Sequence, residues 1–150
     1  MPVEKFIWVA LIAGLIGTLG MTGLLTAITK SGIANADMVR AIGSLFTKSL
    51  ESSFKVGILV DILAGIIFAA FYIFAAVSFD VHGLLSSIGV CMLIGFIHGA
   101  VVSFLLAASV AKHHPLKQFQ QAGFSIAVAH WAGHLFYGFL VGLVIGLMGY

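Results

Sequence analysis

The sequence predicts an all-α membrane protein, a bundle of four transmembrane helices with a short amphipathic helix in the first loop. Apolar residues make up 61% of the 150 residues and only 8% are charged, whereas soluble domains carry about a quarter charged residues. A helix needs about 20 mostly apolar residues to cross the hydrocarbon layer. Four runs of the chain meet that length, and we assign them to one membrane domain spanning 1–150: residues 6–28, 56–79, 84–111 and 123–148.

The charges predict how the four helices are oriented. Cytoplasmic loops of membrane proteins are enriched in Lys and Arg. Of the seven cations, Lys5 lies before the first helix, and the other six lie in the first and third connections. We therefore expect these two connections in the cytoplasm and both termini outside it. The six loop cations are Lys30, Arg40, Lys48, Lys55, Lys112 and Lys117.

The first connection contains a segment with a helical pattern over residues 36–50. Asn35 is a suitable N-cap, and Asp37 in the first turn favours the helix dipole. Apolar residues recur at helical spacing, which is typical of a helix lying in the membrane interface. The alternative is that this helix packs on a neighbouring protein. The apolar positions are Met38, Val39, Ile42, Leu45, Phe46 and Leu50.

Small residues predict how the helices pack. In lipid, close backbone approach at small residues favours helix association, and in the fourth helix Gly138, Gly142 and Gly146 repeat every four residues. We expect this strip to pack the bundle. A polar stripe on the first helix contains Thr18, Thr22 and Thr26. Such hydroxyls usually bond to carbonyl groups of their own helix, so the stripe is weak evidence for a channel.

Four ionisable residues lie inside the apolar runs: Asp61, His98, His130 and His134. A charge at the centre of a membrane helix costs about 2.5–3.5 kcal/mol even on a lenient scale, so such groups usually face the bundle interior. At about 1.5 Å per residue, the four lie about 8 to 19 Å from the cytoplasmic ends of their helices. Because these depths overlap, we expect the four side chains to converge in the cytoplasmic half of the bundle.

This group of side chains suits a transition metal. His130 and His134 are four residues apart and therefore project from one helical face. With His98 and Asp61 they form a ligand set for Zn, Fe or Cu. A b-type haem is the alternative cofactor, held by His98 and His134 on facing helices. Each residue alone could instead form a structural hydrogen bond with a neighbouring helix.

Three other residues that could bind a metal are not expected to do so. Cys91, the only cysteine, lies in the third helix and is expected in the core. His113 and His114 precede Pro115 at the cytoplasmic surface and are expected to be solvated.

Four stretches of the sequence resemble a group of uncharacterised small bacterial four-helix membrane proteins. The stretches are residues 17–22 (Gly-Thr-Leu-Gly-Met-Thr), 57–68, 97–99 (Ile-His-Gly) and 134–138 (His-Leu-Phe-Tyr-Gly). The resemblance implies a bacterial membrane protein with a polar centre built by the second, third and fourth helices. Members of the group often have histidine where this chain has Asp61, so the ligand set of the group is not carried over to that position.

Three functions are compatible with these features. The first is a metal- or haem-binding protein of the bacterial inner membrane that serves electron transfer. The second is an accessory subunit of a larger respiratory or photosynthetic complex. The third is an ion or proton transporter, which would need a homo-oligomer because four short helices enclose little space. No catalytic motif and no nucleic-acid-binding pattern is present, and the expected partners are the lipid bilayer and other membrane subunits.

The orientation predicts which loops an impermeant thiol reagent reaches in intact cells. A cysteine introduced by Ser78→Cys, at the end of the second helix, should be labelled from outside. A cysteine introduced by Ser49→Cys, in the cation-rich first connection, should be protected until the cells are opened. Labelling of the Ser49→Cys variant in intact cells would reverse the assigned orientation.

Overall fold

The computed structural model describes residues 1–121 and 123–149, without the side chains of residues 109 and 110. The described residues form helices and loops and contain no strand. A single 3₁₀ turn, Lys117–Phe119, interrupts the last connection. The α-helices are α1 (Val3–Lys30), α2 (Met38–Thr47), α3 (Leu50–Ser78), α4 (Leu84–His113) and α5 (Phe124–Met148).

The predicted all-α class is confirmed for the described residues. Four helices, α1, α3, α4 and α5, are long and apolar enough to cross a membrane. Most of their bounds lie within three residues of the predicted spans, but α3 begins at Leu50, six residues before the predicted start. The hydropathy pattern misses this first turn and a half because it contains Glu51 and Lys55. These charges are compatible with a helix that extends beyond the hydrocarbon layer.

The short helix in the first connection is present, but it spans Met38–Thr47 and is therefore shorter at both ends than the predicted 36–50. Lys48 ends it with a positive φ of 53°, and Leu50 belongs to α3. Asp37, and not Asn35, is the N-cap: its carboxylate accepts a hydrogen bond from the Arg40 backbone N–H at 3.1 Å. The Arg40 guanidinium also pairs with this carboxylate at 2.9 Å. Asp37 therefore satisfies a free N–H at the start of α2 in the usual way for a cap. The location of α2 in the membrane interface stays a prediction.

The four long helices are ordered α3, α1, α5, α4 in space. Helix α1 packs between α3 and α5, and α5 has its most extensive contact with α4. In contrast, α3 and α4 have few direct contacts, so the two outer helices diverge over much of their length. This arrangement leaves room for side chains between α3 and α4.

Glycines in α5 bring its backbone against α4. A Cβ atom on Gly142 would stand 2.6 Å from the Ser87 carbonyl oxygen, and one on Gly146 would stand 2.7 Å from the Leu84 Cα. A Cβ on Gly138 would collide with the carbonyl of Cys91, a residue that is fully buried. The predictions that the glycine strip packs the bundle and that Cys91 belongs to the core are therefore confirmed.

Helix α2 packs against the start of α3 by the same means. A Cβ on Gly43 would overlap the Ser53 carbonyl oxygen, and a Cβ on Gly57 would overlap the Val39 carbonyl oxygen. Two glycines thus allow the backbones of α2 and α3 to meet. This contact places α2 close to the ends of the long helices that border the connections α1–α3 and α4–α5. This end of the molecule is here called the loop side.

His114 anchors α2 from the other side, and the prediction that it is solvated is wrong. Only 2% of its surface is exposed. Its Nε2 lies 3.0 Å from the Ala41 carbonyl oxygen and its Nδ1 accepts the Leu116 N–H at 3.1 Å. The imidazole therefore joins α2 to the α4–α5 connection. The prediction failed because the sequence does not reveal that α2 folds back over residues 113–115.

The glycine contacts predict a sharp difference between two similar substitutions. Gly142→Ala inserts a methyl group against the α4 backbone, and overpacking of this kind costs about 1–3 kcal/mol. Gly89→Ala, in α4, is the matched control because its added Cβ meets nothing within 4 Å. Reversible unfolding in mixed micelles should therefore give a lower free energy of unfolding for Gly142→Ala than for Gly89→Ala. Equal stability of the two variants would show that α4 and α5 do not approach as described.

Candidate functional site

Two of the intramembrane histidines meet between α4 and α5. The ring centroids of His98 and His134 are 4.8 Å apart, and the rings are inclined at 68°. His134 is buried, with 7% of its surface exposed, and His98 is half-buried. The structure therefore brings together the two histidines that were also the candidates for haem ligation.

The approach of these imidazoles depends on two glycines of α4. A Cβ on Gly99 would stand 2.5 Å from the His134 Cβ, and one on Gly95 would stand 2.6 Å from the His134 carbonyl oxygen. His134 thus lies in a notch of the α4 backbone, and Gly99 is the immediate neighbour of His98. Any larger residue at these two positions would push His134 away from the His98 ring.

Aromatic side chains of α3 hold His98 from the opposite side. The Tyr72 hydroxyl and the His98 Nδ1 share a hydrogen bond of 3.1 Å, and Tyr72 is only 1% exposed. The Phe68 ring packs on the imidazole with centroids 4.2 Å apart. These contacts bridge α3 and α4 where their backbones diverge, and they fix the direction in which the His98 ring points.

Asp61 belongs to the same region but has a partner on α1. Its carboxylate accepts a hydrogen bond from the Thr22 hydroxyl at 3.1 Å and is half-buried. A cavity of about 110 Å³, here called the central cavity, lies beside this carboxylate. Its polar lining side chains are Thr18, Asp61, His98, His134 and Tyr137.

His130 faces a different space. It lines a cavity of about 70 Å³ between α2, α4 and α5, and its imidazole interacts with the backbone of Ala36. His130 and His134 therefore share one helix without sharing one cavity. Within the described residues, no group of three or more His, Cys, Asp or Glu side chains is arranged to hold a metal ion. Metal binding by all four predicted residues thus stays a prediction.

Three imidazole nitrogens in this region lack a partner. The Nε2 atoms of His98, His130 and His134 are buried and, in the described part of the chain, accept or donate no hydrogen bond. A buried polar group left unsatisfied costs about 1–3 kcal/mol. A ligand that binds these nitrogens would therefore remove a penalty that the protein alone carries.

Sequence reasoning missed the tyrosines and one threonine of this site. Tyr72 follows Asp61 by 11 residues, close to three helical turns, so the two share a face of α3. Tyr137 donates a hydrogen bond to the Gly65 carbonyl oxygen at 2.5 Å and packs edge-on against Tyr72. The spacing from Asp61 was the available signal for Tyr72. The hydrogen bond from Thr22 to Asp61 could not be predicted, because it depends on how α1 and α3 are rotated relative to each other, and the sequence does not reveal this rotation.

The threonine stripe of α1 has mixed roles. Thr26 donates to the Thr22 carbonyl oxygen at 2.7 Å, as expected of a helix hydroxyl. Thr22 donates to Asp61 instead, and the buried Thr18 hydroxyl has no partner within the described residues. The expectation of bonds within the helix therefore holds for Thr26 alone.

Comparison with known proteins finds no match among family models, curated protein sequences or solved structures.

Proposed function

We propose that the chain is an integral membrane protein that binds a transition-metal ion between α4 and α5. The ligands are the Nε2 atoms of His98 and His134, and the metal is zinc, iron or copper. The supporting observation is that these two buried nitrogens have no hydrogen-bond partner among the described residues, and that both histidines line one cavity. Neutral imidazole is a common ligand for all three metals.

Tyr72 suits the role of orienting the first ligand. Metal-bound histidines usually donate their second ring N–H to a fixed acceptor, which sets the tautomer and the ring direction. The 3.1 Å contact lets the His98 Nδ1–H donate to the Tyr72 oxygen. In that tautomer the lone pair of Nε2 is free to bind a metal ion.

Two protein ligands leave positions for Asp61 and for water. Zinc sites have four ligands, and open sites combine three protein ligands with a water molecule. The Asp61 carboxylate lines the same cavity as the two imidazoles, and the cavity of about 110 Å³ has room for a few water molecules. His130 is left out of the proposed ligands because it lines the other cavity, between α2, α4 and α5.

The dimensions favour an ion over a b-type haem. Two histidines on opposite faces of a haem iron, each with its nitrogen about 2 Å from the metal, have ring centroids roughly 6 Å apart. The observed centroids are 4.8 Å apart. The central cavity is also smaller, at about 110 Å³, than the roughly 300 Å³ at which small-molecule pockets begin. Haem binding would require α4 and α5 to separate.

The cellular setting is part of the proposal. We place the protein in a bacterial inner membrane with both termini outside the cytoplasm, because six cations lie in the connections α1–α3 and α4–α5 or at the helix ends that border them. Electron transfer is the proposed role if the metal is iron or copper. The alternatives are an accessory subunit of a larger complex, which needs no metal, and a transporter, which needs a metal or proton only transiently.

Metal analysis of the purified protein tests the proposal. Protein extracted in mild detergent should contain about one metal ion per chain or take up zinc in that ratio. His98→Ala and His134→Ala should each abolish binding, because either change removes one of two imidazole ligands. His113→Ala is the control, since that exposed residue lies outside the cavity.

Equal metal content in all three variants would contradict the proposal. An absorption spectrum of the same samples distinguishes the cofactors. A Soret band that disappears in the His98→Ala or His134→Ala variant would show that the cofactor is a haem and not a metal ion.

A further inference from the structure

A third cavity, larger than the two described above, opens on the loop side of the molecule, between α1, α2 and α3. It is a cleft of about 260 Å³, here called the α1–α3 cleft. Lys30, Asp37 and Arg40 line it near the connection between α1 and α2, and Thr22 and Asp61 line it deeper along the helices. Asp61 is thus a lining residue of both the cleft and the central cavity.

The Asp61 carboxylate is incompletely satisfied by the protein. Within the described part of the chain, it receives one hydrogen bond, from Thr22, at 3.1 Å. An ionised carboxylate offers about four acceptor positions, and a charge placed within a membrane helix is costly unless it is paired or reached by water. The remaining acceptor positions therefore favour contact with water or with a cation from the cleft.

One face of α1 supplies a polar wall from the opening of the cleft to this carboxylate. Thr29, Thr26 and Thr22 follow one another at three- and four-residue spacing and all line the cleft. Thr26 and Thr29 direct their hydroxyl protons to carbonyl oxygens of their own helix, at 2.7 and 2.9 Å. The Thr29 oxygen also accepts the Ala36 backbone N–H at 2.9 Å, which leaves it one lone pair for the cleft. Oxygen atoms such as those of Thr26 and Thr22 are suitable ligands for water and for hydrated cations.

The charges change sign with depth. At the opening, the Arg40 guanidinium pairs with Asp37 at 2.9 Å and lies over the Phe54 ring at 5.5 Å. Among the described residues that line the cleft below this opening, Asp61 carries the only charge. A narrow space with low-dielectric walls concentrates ions of the opposite sign. An ionised Asp61 would therefore attract cations to the deep end of the cleft.

We propose that the α1–α3 cleft is a water-filled entry path for a small cation, and that Asp61 is the carboxylate that passes the cation from the cleft to the central cavity. That the cation is a metal ion bound by His98 and His134 rests on the proposed function. The water-filled path and its cation preference rest only on the cleft itself.

The test measures reaction of an introduced cysteine with impermeant thiol reagents in sealed vesicles. The Thr26→Cys variant places the thiol one helical turn from Thr22, within the cleft. Leu63→Cys is the control, because Leu63 lies two residues after Asp61 and is 53% exposed on the outer surface of α3. The unmodified protein serves as the blank, since its single thiol, Cys91, is fully buried. Thr29→Cys replaces Thr26→Cys if that variant does not fold.

We expect a cationic methanethiosulfonate to modify Thr26→Cys from the loop side and to leave Leu63→Cys unmodified. When each rate is divided by the rate of the same reagent with a free thiol in solution, the cationic reagent should react about tenfold faster than an anionic reagent of similar size, as in other charged clefts. Adding Asp61→Asn, which keeps the shape and removes the charge, should abolish that preference and leave accessibility unchanged.

Protection of Thr26→Cys from loop-side reagent, or a cation preference that persists in Asp61→Asn, would overturn the inference. The readout requires no bound metal. Failure of the entry path is therefore separable from failure of metal binding, which is measured on the histidine variants.

Discussion

The close approach of the α4 and α5 backbones is the constraint on which the polar centre depends. In lipid, helices associate through backbone contact at small residues, because apolar side chains gain little by leaving the hydrocarbon. Gly138, Gly142 and Gly146 of α5 meet α4 near its start, and Gly95 and Gly99 of α4 receive His134. The two imidazoles are therefore brought into contact by residues that have no side chain, and the polar chemistry of the site is fixed by packing.

The remaining helices complete this centre without closing it. Helix α3 diverges from α4 and reaches it through Tyr72 and Phe68, so a cavity remains beside the His98 ring. Helix α1 contributes Thr22, which holds Asp61 at the boundary between that cavity and the α1–α3 cleft. The polar groups thus form a continuous row from the loop-side surface to the bundle centre. The outer surface of the long helices, in contrast, is mainly apolar.

The sequence predicts where the helices of this fold begin and end better than it predicts how each helix is rotated about its own axis. Hydropathy identifies four long helices, and the four-residue glycine repeat identifies the face of α5 that packs on α4. Each long helix is apolar on nearly every side, so hydropathy does not reveal which way His130 or Asp61 points. His130 faces α2, Asp61 faces Thr22, and His114 is buried under α2. All three outcomes depend on contacts between distant segments, which single-sequence periodicity does not contain.

X-ray absorption at the zinc edge of zinc-loaded protein tests most directly whether His98 and His134 bind one metal ion. The account predicts nitrogen scattering at about 2.0–2.1 Å with the outer-shell pattern of two imidazole rings. His98→Ala should release the zinc, because one of the two imidazole ligands is lost. A zinc environment of oxygen atoms alone, or one that neither His98→Ala nor His134→Ala alters, would contradict the account.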